Sequence, residues 1–174
     1  MTAPTLGFDA LPLRAATHSN LTQLGYTQMT PIQAASLHIT LAGRDVIAQA
    51  STGSGKTAAF ALPLVEKLAP AMQDAQALVL CPTRELAAQV AENFDTYTKY
   101  SKLTKALLIG GVSFKEQDKL IDRGVDVLIA TPGRLLDHVE RGKLLLTGVQ
   151  IMVVDEADRM LDMGMKEQID QINK

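Results

Sequence analysis

The sequence holds a single cysteine, Cys81, so no internal disulfide can form, and its place at the end of an apolar run points to the core. Three histidines, His18, His38 and His138, are scattered without the spacing that would hold a metal. No stretch approaches the roughly 18 uninterrupted apolar residues that a membrane span needs. The amino terminus has no basic patch leading into an apolar stretch, so neither a span nor a signal peptide is visible and a cytoplasmic protein is expected. Net charge is nearly absent as well, with 17 Lys and Arg against 19 Asp and Glu leaving −2. That balance does not announce a nucleic-acid binder, although a local basic strip on a neutral body can still hold phosphates. Repeats, low-complexity segments and linkers are also missing. What remains, 174 residues of which 47% are hydrophobic and 21% charged, suits one globular domain around one sizeable core.

Apolar runs with β character recur at Val46 to Ala50, Ala77 to Cys81, Ala106 to Ile109, Val125 to Ala130 and Ile151 to Val154. They are continuous rather than alternating, and the segments between them are long enough for crossover helices. This pattern predicts an α/β fold, a parallel sheet flanked by helices on both faces. Each run is followed by polar or Gly/Pro-rich residues, so all five loops should lie along the carboxyl edge of the sheet, where ligands collect. Two helical segments come first, about 11–24 and 31–41, the second bounded by Thr30 as N-cap, Pro31 at the first helical position and Gly43 past the end.

The stretch Asp45 to Thr57 reads as strand, loop and helix, the context of a phosphate loop. Ser51, Thr52, Gly53, Ser54 and Gly55 can turn successive backbone N–H groups toward phosphate oxygens at the positive end of the following helix. Lys56 adds a charge for the outer phosphates and Thr57 a hydroxyl for Mg²⁺. The usual pattern opens with glycine, whereas Ala50 stands here. About a hundred residues later, Asp155 and Glu156 place two carboxylates at a strand's carboxyl end. Such like charges are stabilised by a cation, which makes Asp155 a candidate metal ligand and Glu156 a candidate to orient or deprotonate an attacking water. An acidic N-terminus favoured by the dipole of the next helix is the other reading of the same pair.

Asp155-Glu156-Ala157-Asp158 matches the signature of the DEAD-box RNA helicases, and further motifs of that family's first domain occur in order. Gly25 to Gln33 resembles its adenine-recognition motif, with Phe8 at the upstream aromatic position. Pro82-Thr83-Arg84, Gly110-Gly111 and Thr131-Pro132-Gly133-Arg134 are similar to its RNA-contacting motifs. The resemblance covers almost the whole chain, and it implies an N-terminal RecA-like, ATP-binding domain over residues 1–174, with residues 1–43 as the adenine-recognition segment. ATP and Mg²⁺ are then the cofactors. Gln33 would read the adenine edge, because its amide donates and accepts at once, with Thr30 beside it and Phe8 stacking on the base. Lys56, Asp155 and Glu156 would be catalytic, Thr57 and Asp155 would hold the metal, and Asp158 would couple motifs or domains.

RNA would be held through its backbone without regard to sequence, by hydroxyls, small residues and arginines at strand ends. A second RecA-like domain is the implied partner in the complete protein. Some positions depart from the family pattern: Ser51 in the phosphate loop, Thr17 and His18 on a helix that is usually apolar, and Met165 where an aromatic is common. The family's Ser-Ala-Thr strand, which lies between the phosphate-loop strand and the Asp-Glu-Ala-Asp strand, does not occur in the sequence. Its absence would leave two strands with unpaired backbone groups, a poorly stable fragment and a Glu156 badly placed for hydrolysis. Two other readings accompany this one: a non-catalytic nucleotide-binding or interaction module, and a DNA-directed helicase or other ATPase.

Overall fold

A computed structural model describes residues 7–50, 55–69 and 74–173. Four apolar runs form strands β1 (Ala77–Leu80), β2 (Lys105–Leu108), β3 (Val127–Ala130) and β4 (Ile151–Val154). They make one parallel sheet in the order β2-β3-β1-β4. The helices are α1 (Ala15–Gln23), α2 (Pro31–Leu41), α3 (Lys56–Lys67), α4 (Arg84–Tyr97), α5 (Phe114–Arg123), α6 (Pro132–Glu140), α7 (Ala157–Asp162) and α8 (Lys166–Ile172). The chain divides into two compact units, Met1–Leu68 with Asn93–Lys102, and Ala69–Glu92 with Leu103–Lys174. No described helix is long and apolar enough to cross a membrane.

The first unit packs Phe8, Leu11, Leu21, Met29, Leu37, Ala58 and Leu62 into one core. Thr17 turns inward on α1, where the family pattern is apolar, and its hydroxyl donates to Glu66 Oε1 on α3 at 2.7 Å. A buried hydroxyl with a partner costs little, so the polar residue is accommodated. The second unit contains the whole sheet. Leu78, Leu80, Ala106, Leu108, Leu128 and Ala130 form one face of its core, together with Leu135 and Leu136 of α6, Met160 of α7 and Ile172 of α8. Residues of opposite parity, Ala77, Val79, Val127 and Ile129, have no exposed surface, so β1 and β3 are buried on both faces, as a continuous apolar run requires. Met165 packs against the same core.

One charged residue inside the Val125 to Ala130 run sets the register. Asp126, wholly buried, accepts from Gln76 Nε2 at 2.9 Å through Oδ1, and from Thr104 N at 3.0 Å and Thr104 Oγ1 at 3.2 Å through Oδ2. Gln76 and Thr104 precede β1 and β2, so a single carboxylate ties the amino ends of three strands. Gln76 O also accepts from Gln150 N, just before β4, at 2.7 Å. The opposite ends consequently finish level: Leu80 pairs with Ala130 and Val154, and Leu108 with Ala130. Four of the five expected loops therefore leave along one edge. Of the fifth, Ser51 to Lys56, residues 51–54 lie outside the described residues.

The strand expected at Val46 to Ala50 does not form. Residues 44–50 carry no regular structure, and Ile47 stands fully in solvent. An apolar run becomes a buried strand only when neighbouring strands satisfy its backbone, and nothing in the local sequence supplies them. The outer edge of β4 likewise has no strand partner among the described residues, and β4 is half-buried where β1 and β3 are fully buried.

If Asp126 fixes the register, Asp126→Ala should lower stability by about 3 kcal/mol, because it removes several bonds to a carboxylate and strands buried donors. Urea unfolding at constant m measures this. A loss below about 0.5 kcal/mol would assign the register to strand packing alone.

Candidate functional site

In the first unit the site is built around Gly55. This residue is left-handed, with φ 87°, at the N-cap of α3, and a Cβ there would collide with Gln33 Nε2 and lie 3.0 Å from Thr30 Oγ1. Only glycine fits. Lys56 and Thr57 follow in the first helical turn, at the positive end of the helix dipole where an anion is stabilised. Ser51, Thr52, Gly53 and Ser54 lie outside the described residues.

Gln33 is 4% exposed, and both ends of its amide are engaged. Its Oε1 accepts from Thr30 N at 2.9 Å, and its Nε2 donates to Gly55 O at 3.1 Å. The side chain thus joins the start of α2 to the loop residue before Lys56, a link that the sequence does not reveal. Thr30 and Gln33 make a capping box at the start of α2, in which Thr30 Oγ1 faces the Gln33 backbone N–H without a close hydrogen bond to it, so the buried hydroxyl is weakly engaged among the described residues. Phe8 is 4% exposed and packs in the core with Leu11 and Met29, leaving little ring surface uncovered.

In the second unit, the flush strand ends collect the other candidates. Cys81 follows β1, and burial first, then the charges of Asp155 and Glu156, push its thiol up to about 12. It is therefore a neutral core residue beside the carboxylates. Thr83 caps α4 by accepting from Leu86 N at 3.1 Å. Arg84, opening that helix, reaches to Gly110 O at 3.4 Å, and a Cβ on Gly111 would collide with its guanidinium. Gly111 needs its positive φ of 82°, which side chains rarely adopt, whereas the exposed Arg84 guanidinium could swing aside from a Cβ.

Pro132 begins α6, with Thr131 at its N-cap and Gly133 near Gln168. Arg134 projects back from that first turn. Its Nη1 donates to Val112 O at 2.8 Å and to Gln117 Oε1 at 3.2 Å, while the guanidinium lies 4.0 Å over the Phe114 ring. Arg84, Gly110, Gly111 and Arg134 are thus brought together, with the arginines flanking the glycine pair.

Asp155 continues the ladder beyond β4 by donating its N–H to Leu80 O at 2.9 Å. Glu156 then turns left-handed, with φ 54° and ψ 52°, as the one non-glycine of positive φ among the described residues. That conformation costs about 1–3 kcal/mol and persists where surrounding structure holds it. Its carboxylate pairs with Arg159 Nη1 at 3.2 Å, and Asp158 Oδ1 accepts from Arg159 N at 2.9 Å. Among the described residues no three metal-ligating side chains converge into a cage. A carboxylate at a strand end nevertheless suits Mg²⁺, which keeps several waters and takes other ligands from phosphates.

The DEAD/DEAH box helicase profile matches residues 30–174. The chain belongs to this family. It is 50% identical over 155 residues to the ATP-dependent RNA helicase DbpA of Escherichia coli, covering 88% of this chain and 34% of that protein. It is 45% identical over 173 residues to the ATP-dependent RNA helicase DeaD of Buchnera aphidicola, covering 99% and 29%. The crystal structure of a DEAD box protein from Methanococcus jannaschii superposes with a TM-score of 0.90 at 36% identity, over 97% of this chain and 47% of that one. The chain therefore spans about a third of the length of these curated relatives, and its fold is the α/β RecA-like domain of DEAD-box proteins.

Sequence reasoning missed the layer behind the DEAD-box motifs: Gln117, Asp118, His138 and Arg141. Arg141 grips Asp118 with two bonds of 3.1 and 2.9 Å, and His138 Nε2 meets Gln117 Oε1 at 2.7 Å. A signal was present, since Gln117 sits three residues after Phe114 and four before Ile121, an inward position on a helix where an apolar residue is expected.

The left-handed turn at Glu156 gives a direct test. Replacing Glu156 with Gly should raise stability by about 0.5–1 kcal/mol, because relief of strain outweighs a part-exposed ion pair. Chemical denaturation decides it. A loss of about 1 kcal/mol instead would mean that the Arg159 pair dominates.

Proposed function

We propose that this chain is the ATP- and RNA-binding first domain of an ATP-dependent RNA helicase. The observation that carries the reading is the gathering of Arg84, Gly110, Gly111 and Arg134 on the sheet edge that also bears Asp155 and Glu156. Backbone approach at two glycines, with a guanidinium on either side, suits the sugar-phosphate chain of an RNA strand and offers nothing that distinguishes bases. The relatives named above are called ATP-dependent RNA helicases, which favours this reading over a non-catalytic module or a DNA-directed enzyme.

In this reading ATP is held in two ways. Lys56, Thr57 and residues 51–55 take the phosphates, while Gln33 and Thr30 take the adenine edge through the amide hydrogen and lone pair that the bonds to Thr30 N and Gly55 O leave over, and Phe8 supports that side from within the core. Bound Mg²⁺ would neutralise phosphate charge, with Thr57 and Asp155 as its protein ligands. Glu156 would orient a water for attack on the outer phosphate once it exchanges its bond to Arg159 for that water. Asp158 couples this strand end to the rest of the machinery, and a second RecA-like domain would complete the cleft.

The Gln33 geometry gives its removal two effects, on the base and on the phosphate loop. Lys56→Ala should weaken binding of a fluorescent ATP analogue by about 10–100-fold through loss of a charge-assisted contact, with the preference for ATP over GTP retained. Gln33→Ala should narrow that preference and also weaken phosphate binding, because Gly55 O loses its buried donor. Competition titrations with ATP and GTP separate the two. A Lys56→Ala chain of unchanged affinity would remove the phosphates from this loop.

A further inference from the structure

Gly110 and Gly111 can present their backbone to RNA only if the loop that carries them is held in one conformation, and two glycines by themselves are the most permissive residues for such a loop. The residues on either side provide the constraint. Ile109 O accepts from Gln117 Nε2 at 2.9 Å, and Val112 O accepts from Arg134 Nη1 at 2.8 Å. Arg134 is in turn oriented by Gln117 Oε1 at 3.2 Å and by the Phe114 ring beneath it. Gln117 therefore bonds one end of the loop directly and orients the side chain that bonds the other. Gln117 is 1% exposed, so it reaches no ligand itself.

The direction of the amide follows from its partners. Ile109 O can only accept, so Nε2 must face it and Oε1 must face both Arg134 and His138. His138 Nε2, at 2.7 Å from that oxygen, consequently carries a proton, and Nδ1 lies between Arg141 Nη1 and Asp118 Oδ1, each at 3.5 Å. Burial lowers the pKa of His138 and the neighbouring Asp118 carboxylate opposes that shift, but the Nε2 proton that Gln117 accepts is present in the neutral and the charged ring alike. Asp118 holds Arg141 from the other side.

We propose that Gln117 is a positioning residue for RNA binding: it sets the backbone of the Gly110-Gly111 loop and the direction of the Arg134 guanidinium together, with His138 fixing the orientation of its amide. The proposal rests on the reading that this loop contacts RNA. Arg134 then has two tasks. Its Nη1 holds the loop and its Nε faces the Asp137 carboxylate at 3.8 Å, while Nη2, 4.0 Å from where a Cβ on Gly110 would lie, is turned to the glycine pair for a phosphate.

Gln117→Glu tests this most sharply, because it keeps the volume and the two acceptor contacts while removing the donor to Ile109 O. Gln117→Leu removes all three bonds. Each variant of the chain, with Gly111→Ala as a control on the loop itself, is titrated against fluorescein-labelled oligouridine RNA and, separately, against a fluorescent ATP analogue. Both Gln117 variants should weaken RNA binding by about tenfold or more and leave the ATP analogue within about twofold, with the Gly110 and Gly111 amide resonances displaced. Should Gly111→Ala weaken RNA while both Gln117 variants bind it normally, the positioning role is overturned and the loop reading stands. Equal losses for RNA and ATP analogue would also overturn it, by showing a general packing role. If Gly111→Ala itself binds RNA normally, the underlying loop reading falls. Where Gln117→Leu does not fold, Gln117→Glu decides alone.

Discussion

The constraint on which the sheet edge depends is a buried carboxylate at the opposite end of the sheet. Asp126 ties Gln76 and Thr104 to β3, and Gln76 extends the tie to the residue before β4. A parallel sheet has no hairpins to fix its register, so a polar clamp at the amino ends is an effective way of doing so. Because these strands are of equal length, level starts give level ends. The chemistry of the second unit follows from that levelness: a shift of one residue in β2 or β3 would carry Gly110 or Arg134 away from Arg84 by about 3.3 Å, beyond hydrogen-bond reach.

Within the edge, the two arginines are not equivalent. Arg84 lies on the exposed side of the glycine pair and makes one long bond, to Gly110 O at 3.4 Å. Arg134 has a side chain only 13% exposed, stacked on Phe114 and tied to Val112 and Gln117. Low net charge is compatible with RNA binding on these terms. Two guanidiniums at a preorganised edge supply local positive potential that the total of −2 conceals.

Fold class was legible because it depends on local patterns. Continuous apolar runs gave four strands, and the Thr30-Pro31 start and Gly43 stop marked α2 to the residue at its beginning. Val46 to Ala50 has the same composition yet forms no strand, since a strand is defined by neighbours that no local window contains. Candidates for the site could be named from residue types and order, because phosphate and carboxylate chemistry restricts both. The site's bonding was not legible. Nothing in the sequence shows Gln33 spent on Thr30 and Gly55, Phe8 sunk in the core, or Gln117 behind the glycine pair, for each depends on what the fold brings near.

The central claim, that RNA lies on the flush carboxyl edge of the sheet, is tested most directly by photo-crosslinking. A single-stranded RNA carrying 4-thiouridine would be irradiated with the chain and the attached peptides mapped by mass spectrometry. The account predicts attachment within residues 82–84, 110–113 and 131–134, suppressed by unlabelled RNA of any sequence. Attachment concentrated instead on the exposed tyrosines Tyr26 and Tyr100 of the first unit, with the sheet edge unlabelled, would contradict it.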